Sequence, residues 1–466
     1  MAERIFVSFE GDGSGVDELS WGQRAIWNQM RMQDSSLSMG GARPLTAGTT
    51  IGDVAASARF VLGRHQSLRT RLRFEPDGRP VQVVASSGEI PLEIVEAGDA
   101  APVVVAEALA ARYKETNFDY ANEWPIRMGV VTHRGTPTHV VEVVCHLATD
   151  GFGMALLRAD LASQDGGTVL TSTGPTSAGP AGAPVTAMQP LEQARSQRTP
   201  GARRHCDAAM RYWERLLRAL PADRFGDWPD DGQPRCLRVV YNSPAVHLAV
   251  RQIAARTKVS TSQVLLAAFA VTLARLTGSN PVVSLVLVNN RFRPGFADTV
   301  SPVSAPCLCV IDVGDITFDE AVARAWHSAM TAYKHAYYEP DLMWDVIARV
   351  GKERGGGITL GYFFNDLRVR HREEPGGSGV PVGSPEDMRA ARTRSTLEWG
   401  SEKDGPCDRV FLYINDVPGT ISCEAWVDTR YVSAADLEAA LRGLEELTVE
   451  AAANPAALTG IRSVVA

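Results

Sequence analysis

The sequence predicts a mixed α/β protein made of two lobes, and three observations support this fold class. Helix-like and strand-like segments alternate along the chain, which is typical of domains in which helices cover sheets. The 466 residues suffice for about two to four domains of ordinary size. Residues 164–187 are rich in Gly, Ser, Thr, Ala and Pro, a composition typical of a linker. We therefore place the first lobe at residues 1–163, the linker at 164–204 and the second lobe at 205–466.

The elements of the first lobe follow from apolar periodicity and turn residues. Residues 4–10 have strand character, and the glycine-rich turn at 11–15 lacks the spacing of a dinucleotide-binding loop. Ser20 is suited to cap a helix that carries Trp21, Ile26 and Trp27 on its apolar face. The remaining predicted elements are helices at 51–63, 101–116 and 152–162, and strands at 69–74, 81–84, 126–132 and 139–145.

The second lobe shows the same interleaving. The apolar residues 260–276 predict a buried helix that ends at Gly278, and the continuous apolar run 282–288 predicts a buried strand. Residues 372–392 contain a Gly-Gly pair and are interpreted as a mobile loop. The remaining predicted elements are helices at 206–220, 245–256, 318–336 and 434–452, and strands at 358–365, 409–416 and 421–428.

Charge and composition exclude several classes of protein. The chain has 47 Lys and Arg against 54 Asp and Glu, a net charge of −7, which argues against a dedicated nucleic-acid-binding protein. Apolar residues make up 45%, which excludes wholesale disorder. The longest apolar run, residues 264–273, is far shorter than the roughly 20 residues that span a membrane.

Seven cysteines occur without the spacing of a disulfide framework or a zinc site. Cys307 and Cys309 form a C-x-C pair on one face of a predicted strand, where apolar filling is favoured over metal binding. The histidines show no metal-ligand spacing, and the N-terminus lacks the features of a secretory signal. We expect reduced thiols, no metal and a cytoplasmic location.

The strongest local signal is Val-Val-Cys-His-Leu-Ala-Thr-Asp-Gly at residues 143–151. A strand ends near His146, where the imidazole can face a cleft, and Asp150 can brace the loop. Gly151 permits close backbone approach, and the following helix directs its positive N-terminal end at the same place. These features fit a general base or an oxyanion site, although a strand-end histidine also fits a structural role.

This stretch resembles the His-His-x-x-x-Asp-Gly motif of nonribosomal peptide synthetase condensation domains, which share a superfamily with chloramphenicol acetyltransferase. Further segments resemble the same family in the same order, so the resemblance extends from about residue 19 to residue 432. They are Leu-Ser-Trp-Gly-Gln-Arg-Ala-Ile-Trp at 19–27, Arg-His-Gln-Ser-Leu-Arg-Thr at 64–70, Asn-Phe-Asp at 117–119, Pro-Ile-Arg at 125–127, Tyr-Trp at 212–213, Thr-Gly at 277–278 and Asn-Asn-Arg at 289–291.

The resemblance implies two chloramphenicol-acetyltransferase-like lobes in a V-shaped pseudo-dimer with the active site in a tunnel between them. His146 matches the catalytic histidine, which would deprotonate or position the acceptor or stabilise the tetrahedral intermediate. Asp150 would pair with Arg291 across the lobes as a structural element. Gly151 would offer a backbone N–H near the reacting carbonyl. Asn365 would face the tunnel and contact substrate, although a strand-end cap is an equally good interpretation.

Cys145 departs from the motif, because it occupies the position of the first histidine. Three interpretations remain open. The thiol could be a smaller substitute that packs the loop, or the change could mark a domain with impaired catalysis. Cys145 could also be an acyl-accepting nucleophile, but adjacent residues on a strand face opposite sides, which disfavours a dyad with His146.

The resemblance implies a free-standing condensation-type acyltransferase in natural-product biosynthesis, including antibiotic biosynthesis. It would join a carrier-bound acyl or aminoacyl thioester to an amine or a hydroxyl. The chain would bind no cofactor of its own, since phosphopantetheine would arrive on a carrier protein acting in trans. We expect a monomer with a small-molecule acceptor and no nucleic-acid or membrane partner. Two alternatives stay open: a non-catalytic domain that recruits tailoring enzymes to carrier proteins, and an acyltransferase that uses coenzyme A.

Overall fold

The computed structural model describes residues 3–164, 187–220, 235–356, 358, 360–368, 383–403 and 407–462. Most of the predicted linker therefore lies outside the described residues, as does the glycine-containing part of the predicted mobile loop. Contacts between residues divide the chain into two compact units. Unit 1 comprises Met1–Cys206, Asn289–Ala305 and Glu339–Asp341, and unit 2 comprises Asp207–Val288, Pro306–Tyr338 and Leu342–Ala466.

The helices and strands of the first part of the chain interleave as the sequence predicts. In chain order they are β1 (Glu3–Glu10), β2 (Gly15–Glu18), α1 (Trp21–Gln33), β3 (Met39–Pro44), α2 (Ile51–Arg64), β4 (Thr70–Phe74), β5 (Pro80–Val84), β6 (Ser87–Glu96), α3 (Pro102–Glu115), β7 (Ile126–His133), β8 (Thr136–Val144), α4 (Gly151–Gln164) and α5 (Pro190–Gln197). Ser20 caps α1 as predicted, since its side chain accepts a hydrogen bond from the backbone N–H of Gln23.

The second part of the chain continues the same mixture of elements. In chain order they are α6 (Pro200–Ala219), β9 (Cys236–Ser243), α7 (Pro244–Thr257), α8 (Thr261–Thr277), β10 (Val282–Val288), β11 (Ala305–Ile311), α9 (Phe318–Lys334), α10 (Pro340–Glu353), β12 (Tyr362–Asp366), α11 (Pro385–Arg392), β13 (Thr396–Lys403), β14 (Val410–Asn415), β15 (Ile421–Asp428) and α12 (Ala434–Ala453). The mixed α/β class is therefore confirmed for the described residues.

The main sheet of unit 1 is covered by helices on both faces. Its strands have the order β1-β6-β7-β8-β3, and β2, β5 and β4 form a separate three-stranded sheet. Alternating side chains of β7 and β8 enter two different cores: Val130 and Val140 pack with α2 and α4, whereas Val131 and Val141 pack with α3. The sheet is thus buried on both sides, and its functional groups must lie at the strand ends.

The glycine-rich turn after β1 encloses a buried arginine. The guanidinium of Arg69 donates hydrogen bonds to the carbonyl oxygens of Asp12, Gly13, Leu62 and Ala85. A Cβ atom at Gly11 would collide with Arg69 and with the Gly63 carbonyl oxygen. The glycines therefore make room for this arginine, and Arg69 serves the fold of unit 1.

The sheet of unit 2 has the strand order β11-β10-β12-β14-β15-β9-β13. A single large core joins one of its faces to α7, α8, α9 and α12. The consecutive helices α7 and α8 meet at an angle of 110°. Most apolar residues of these two helices lie in this core. Among the described residues, no single helix is both long enough and apolar enough to cross a membrane.

Several boundaries differ from the predicted ones. The predicted strands at 282–288 and 421–428 are confirmed at both ends, whereas α6 begins at Pro200 rather than at residue 206. Part of the predicted mobile loop is the helix α11, because Ser384 caps its start and Met388 and Ala391 are buried. The prediction had no strand at β2, β3, β6, β9 or β13 and no helix at α5 or α10.

The expectation that all thiols are reduced is wrong for one pair. Cys236 and Cys407 form a disulfide whose Cα atoms are 6.0 Å apart. The remaining five cysteines are buried and are not part of a disulfide. Cys307 and Cys309 both lie on β11 with fully buried side chains, and no group of three potential metal ligands occurs within the described residues.

Candidate active site

The candidate site is the loop that follows β8 and leads into α4. The backbone N–H of Cys145 donates to the carbonyl oxygen of Pro125 at 2.9 Å, and that of His146 donates to the carbonyl oxygen of Ser36 at 3.2 Å. The loop is therefore fastened to two other segments of unit 1 directly after the strand ends. This fastening fixes the position of the histidine that the sequence singles out.

The imidazole of His146 is partly exposed and has a defined orientation. Its Nδ1 atom lies 2.8 Å from the carbonyl oxygen of Thr149. A carbonyl oxygen only accepts hydrogen bonds, so the proton of the neutral ring is assigned to Nδ1. The Nε2 atom then carries the free lone pair. A neutral ring with this free lone pair can accept a proton from an attacking nucleophile.

Cys145 points away from this imidazole into a small apolar core. Its side chain is fully buried and packs with Trp27, Phe118 and Leu147. The sulfur lies 3.7 Å from the carbonyl oxygen of Ser36. Burial raises the pKa of the Cys145 thiol to about 12. The thiol is therefore protonated at neutral pH, which favours the packing interpretation over the nucleophile interpretation.

Asp150 and Arg291 form the predicted ion pair. Arg291 Nη2 lies 2.8 Å from Asp150 Oδ1, and Arg291 Nη1 donates to Oδ2 at 3.0 Å. Oδ2 also accepts from the backbone N–H groups of Val303 and Ser304 and from the Ser304 hydroxyl. Burial alone would raise the pKa of the Asp150 carboxyl, but the Arg291 charge and these donors hold it below its ordinary value.

The location of this pair differs from the expectation. It was predicted to join the two lobes, yet residues 289–305 cluster with unit 1, so both partners lie in the same unit. The segment returns to unit 1 because the Asp150 carboxylate accepts hydrogen bonds from it at three residues. The ion pair therefore holds a distant stretch of the chain against the His146 loop.

Two glycines at the start of α4 have different surroundings. Gly151 is the first residue of the helix and is exposed, so its backbone is accessible. Gly153 is buried, and its N–H donates to Asp150 Oδ1 at 2.8 Å. A Cβ atom at Gly153 would collide with the Thr149 hydroxyl and press on Arg291. Gly153 was not predicted as a site residue; its spacing of three residues from Asp150 was the available signal in the sequence.

A second contribution that the sequence analysis missed comes from the loop after α1. The Ser36 carbonyl oxygen accepts the His146 N–H, and the Ser36 hydroxyl accepts from the Phe118 N–H at 2.8 Å and lies 2.9 Å from the Tyr120 hydroxyl. The Ser36 N–H donates to Asn117 Oδ1 at 2.8 Å. The Asn-Phe-Asp segment that resembles the family therefore supports the His146 loop through Ser36.

Asn365 does not lie with the other predicted site residues in unit 1. It lies on β12 in unit 2, where it is partly exposed and pairs in parallel register with Tyr413 of β14. The structure thus brings together Cys145, His146, Asp150, Gly151 and Arg291 in one unit. It places Asn365 on a sheet of the other unit.

A model of the condensation domain family matches residues 17–353, which is most of the chain. The chain belongs to the condensation domain family. Its relatives include the AMB antimetabolite synthetase AmbB of Pseudomonas aeruginosa, which is 31% identical over 305 residues, covering 61% of this chain. The isonitrile lipopeptide synthase of Mycobacterium tuberculosis is 27% identical over 332 residues, covering 68% of this chain. This condensation domain spans 22% and 13% of these two relatives.

Solved structures of a condensation domain and of an X-domain share its fold. The starter condensation domain of rhizomide synthetase RzmA, a double mutant in complex with C8-CoA, has a TM-score of 0.69 at 15% identity, covering 97% of this chain and 98% of that chain. The X-domain from teicoplanin biosynthesis has a TM-score of 0.67 at 17% identity, covering 96% and 97%. The predicted fold of two chloramphenicol-acetyltransferase-like lobes is confirmed by these likenesses.

Proposed function

We propose that this condensation domain is an acyltransferase that joins a carrier-bound acyl or aminoacyl thioester to an amine or hydroxyl acceptor. The observation that carries the proposal is the orientation of His146, whose Nδ1 is bonded to the Thr149 carbonyl oxygen so that Nε2 is free. Kinship with AmbB and with the isonitrile lipopeptide synthase supports a place in natural-product biosynthesis. The partners would be carrier proteins that deliver the thioester on phosphopantetheine.

The proposed reaction needs one base and one oxyanion donor. The acceptor nitrogen or oxygen attacks the thioester carbonyl carbon, and its proton passes to His146 Nε2. The resulting tetrahedral intermediate collapses, the carbon–sulfur bond breaks, and the carrier thiolate takes the proton back from His146. The product is an amide or an ester plus the free carrier thiol. A thioester is already activated, so this exchange consumes no ATP.

The remaining site residues would hold and complete this arrangement. Gly151 begins α4, and the N–H groups of a first helical turn have no partner within their own helix. We assign the Gly151 N–H as the donor to the developing oxyanion. Asp150 and Arg291 would keep the loop in place, since both are engaged with protein groups and neither has a free charge to offer.

The test is intact-protein mass spectrometry of acyl-loaded carrier proteins with candidate acceptors. Wild type is expected to unload the carrier into a condensed product, and His146→Ala is expected to slow this by about 100-fold or more. The matched control is His327→Ala, which removes an exposed histidine of α9 and leaves the rate unchanged. Equal rates for wild type and His146→Ala would refute the proposed role of His146.

Two alternatives predict different outcomes in the same experiment. Likeness to the X-domain, which has been solved in complex with OxyB, supports a recruitment domain, as does the cysteine at position 145. That alternative predicts carrier binding without unloading. A coenzyme A donor, supported by the likeness to the domain solved with C8-CoA, predicts turnover of an acyl-coenzyme A without any carrier protein.

A further inference from the structure

The face of the unit 2 sheet that lies opposite its main core is partly exposed along β12, β14 and β15. Along β12, β14 and β15, side chains alternate between the helix-facing core and the opposite face. The core contains the inward residues, such as Phe364, Leu412 and Ala425, and none of the outward ones. Most outward residues of these strands are partly exposed, whereas Ser422 and Asp428 near the two ends of β15 are buried. The partly exposed ones are Phe363, Asn365, Phe411, Tyr413, Asn415, Glu424 and Trp426.

Three of these outward residues form a stack of parallel rings. Phe363 and Phe411 are directly opposite each other on β12 and β14, with ring centroids 4.8 Å apart and an interplanar angle of 7°. Tyr413 continues the stack, with its centroid 4.3 Å from that of Phe411 and an interplanar angle of 8°. Parallel, partly exposed rings can accept another planar group by offset stacking, which contributes beyond the area buried.

Two polar groups beside the stack are unused. Within the described residues, neither the Asn365 amide nor the Tyr413 hydroxyl hydrogen-bonds to protein, and their backbones pair in register on β12 and β14. Burial, followed by the charges of Asp408 and Glu424, raises the pKa of Tyr413 above its ordinary value. The phenol is therefore protonated and can donate a hydrogen bond. The Asn365 amide can both donate and accept.

Glu424, the partly exposed carboxylate that β15 places on this face, is already paired with protein groups. Glu424 accepts hydrogen bonds from Arg238 Nε at 2.7 Å, Asn415 Nδ2 at 3.0 Å and Trp426 Nε1 at 3.1 Å. Its carboxylate is thus paired with a cation and saturated with donors. The unused Asn365 and Tyr413 groups are neutral, so they suit an uncharged substituent that hydrogen-bonds, next to a ring that stacks.

We propose that this face of unit 2 binds a planar, uncharged aromatic or conjugated group that carries a hydrogen-bonding substituent. The ring stack would bind the plane of the group, and Tyr413 and Asn365 would bind its substituent. The inference goes beyond the proposed function, because the binding requires no chemistry at His146. Only the identity of the ligand rests on that function. If the function is correct, the bound group is part of the acyl donor or of the acceptor.

The test measures binding to the full chain by isothermal titration calorimetry. The donor probes are N-acetylcysteamine thioesters of 4-hydroxybenzoate and of cyclohexanecarboxylate, and the acceptor probes are 4-hydroxybenzyl alcohol and cyclohexylmethanol. The aromatic member of at least one pair is expected to bind about tenfold more tightly than its saturated partner. If the aromatic thioester binds more tightly than the saturated one, the bound group belongs to the acyl donor. If the aromatic alcohol binds more tightly than the saturated one, it belongs to the acceptor. The proposal is overturned if neither pair discriminates or if no probe binds.

Variants then connect the binding to the proposed residues. Tyr413→Phe keeps the ring stack and removes the hydroxyl, so the affinity for the preferred hydroxylated probe is expected to fall about fivefold. Trp326→Leu is the control, because it removes an exposed aromatic side chain of α9 in the same unit. Unchanged affinity in Tyr413→Phe, or an equal loss in Trp326→Leu, contradicts the assignment.

A last variant separates this inference from the proposed function. His146→Ala is expected to bind the preferred probe as tightly as wild type, even though the proposed function predicts that it loses turnover. Binding without turnover in wild type would refute the acyltransferase and leave the binding surface intact. Turnover without preference for the planar probe would refute the binding surface alone.

Discussion

The two main sheets differ in how completely their two faces are buried. The sheet of unit 1 has helices on both sides, and the polar residues of the candidate site lie in the loop where β8 ends. In unit 2, α7, α8, α9 and α12 cover one side of the sheet, and aromatic and amide side chains of β12 and β14 are partly exposed on the other. In unit 1, hydrogen bonds to other protein groups hold His146, Asp150 and Arg291 in position. In unit 2, polar groups on a rigid sheet are left without protein partners, which suits them to ligands.

The largest effect is expected from breaking the Asp150–Arg291 ion pair of unit 1. Arg291→Ala leaves the buried Asp150 carboxylate without its cation, which we expect to lower the free energy of unfolding by about 3–5 kcal/mol. The measurement is urea denaturation followed by circular dichroism. The control is Arg442→Ala, which breaks an exposed pair with Glu438 and is expected to cost less than about 1 kcal/mol.

The difference in stability between wild type and Arg291→Ala should depend on pH. The pKa of Asp150 is lower in the folded state than in the unfolded chain, so the ion pair stabilises the protein above an unfolded pKa of about 3.9. The stabilisation is lost as pH falls through the folded pKa. Wild type and Arg291→Ala should therefore converge in stability below about pH 4. A constant difference between pH 7 and pH 3 would contradict this account.

The two faces of the unit 2 sheet can be compared directly with two alanine variants. Phe364 is buried on the helix-covered face, so Phe364→Ala is expected to lower the free energy of unfolding by about 3–5 kcal/mol. Phe411 is partly exposed on the open face, so Phe411→Ala should cost about 1–2 kcal/mol, mainly through lost stacking. Chemical denaturation measures both. Equal costs would mean that the open face is also a structural core.

A smaller effect distinguishes the two glycines at the start of α4. Gly153→Ala places a methyl group against Thr149 and Arg291, and we expect a loss of about 1–3 kcal/mol in thermal or chemical unfolding. Gly151→Ala is the matched control at an exposed position and should change stability by less than about 0.5 kcal/mol. If Gly153→Ala is as stable as wild type, the packing around Asp150 is looser than described.

The smallest effect concerns Cys145. Because burial raises the pKa of its thiol to about 12, Cys145 should not react with iodoacetamide at pH 8 in the folded protein and should react after unfolding. Cys145→Ser should also keep the wild-type rate within about threefold in the carrier-unloading assay, if the thiol only fills space. Fast labelling of folded protein at Cys145, located by peptide mapping, would revive the nucleophile interpretation.

Local pattern was enough to predict much of the fold. Continuous or alternating apolar residues gave β10 and β15 at their observed ends, and a capping serine gave the start of α1. The short strands β2 and β3 carry few apolar side chains, so their signal was weak. The helix α11 was mistaken for loop because only Met388 and Ala391 of its residues are buried, which leaves little periodicity to detect.

The sequence by itself determined the family motif, the elements around it and the pairing of residue types at positions 150 and 291. Only the tertiary structure decided that both members of this pair lie in one unit, that Ser36 supports the His146 loop, and that Arg69 fills the glycine-rich turn. The open face of unit 2 was also a tertiary result. Sequence patterns report the side of a strand on which a residue lies, but what covers that side depends on how distant helices pack.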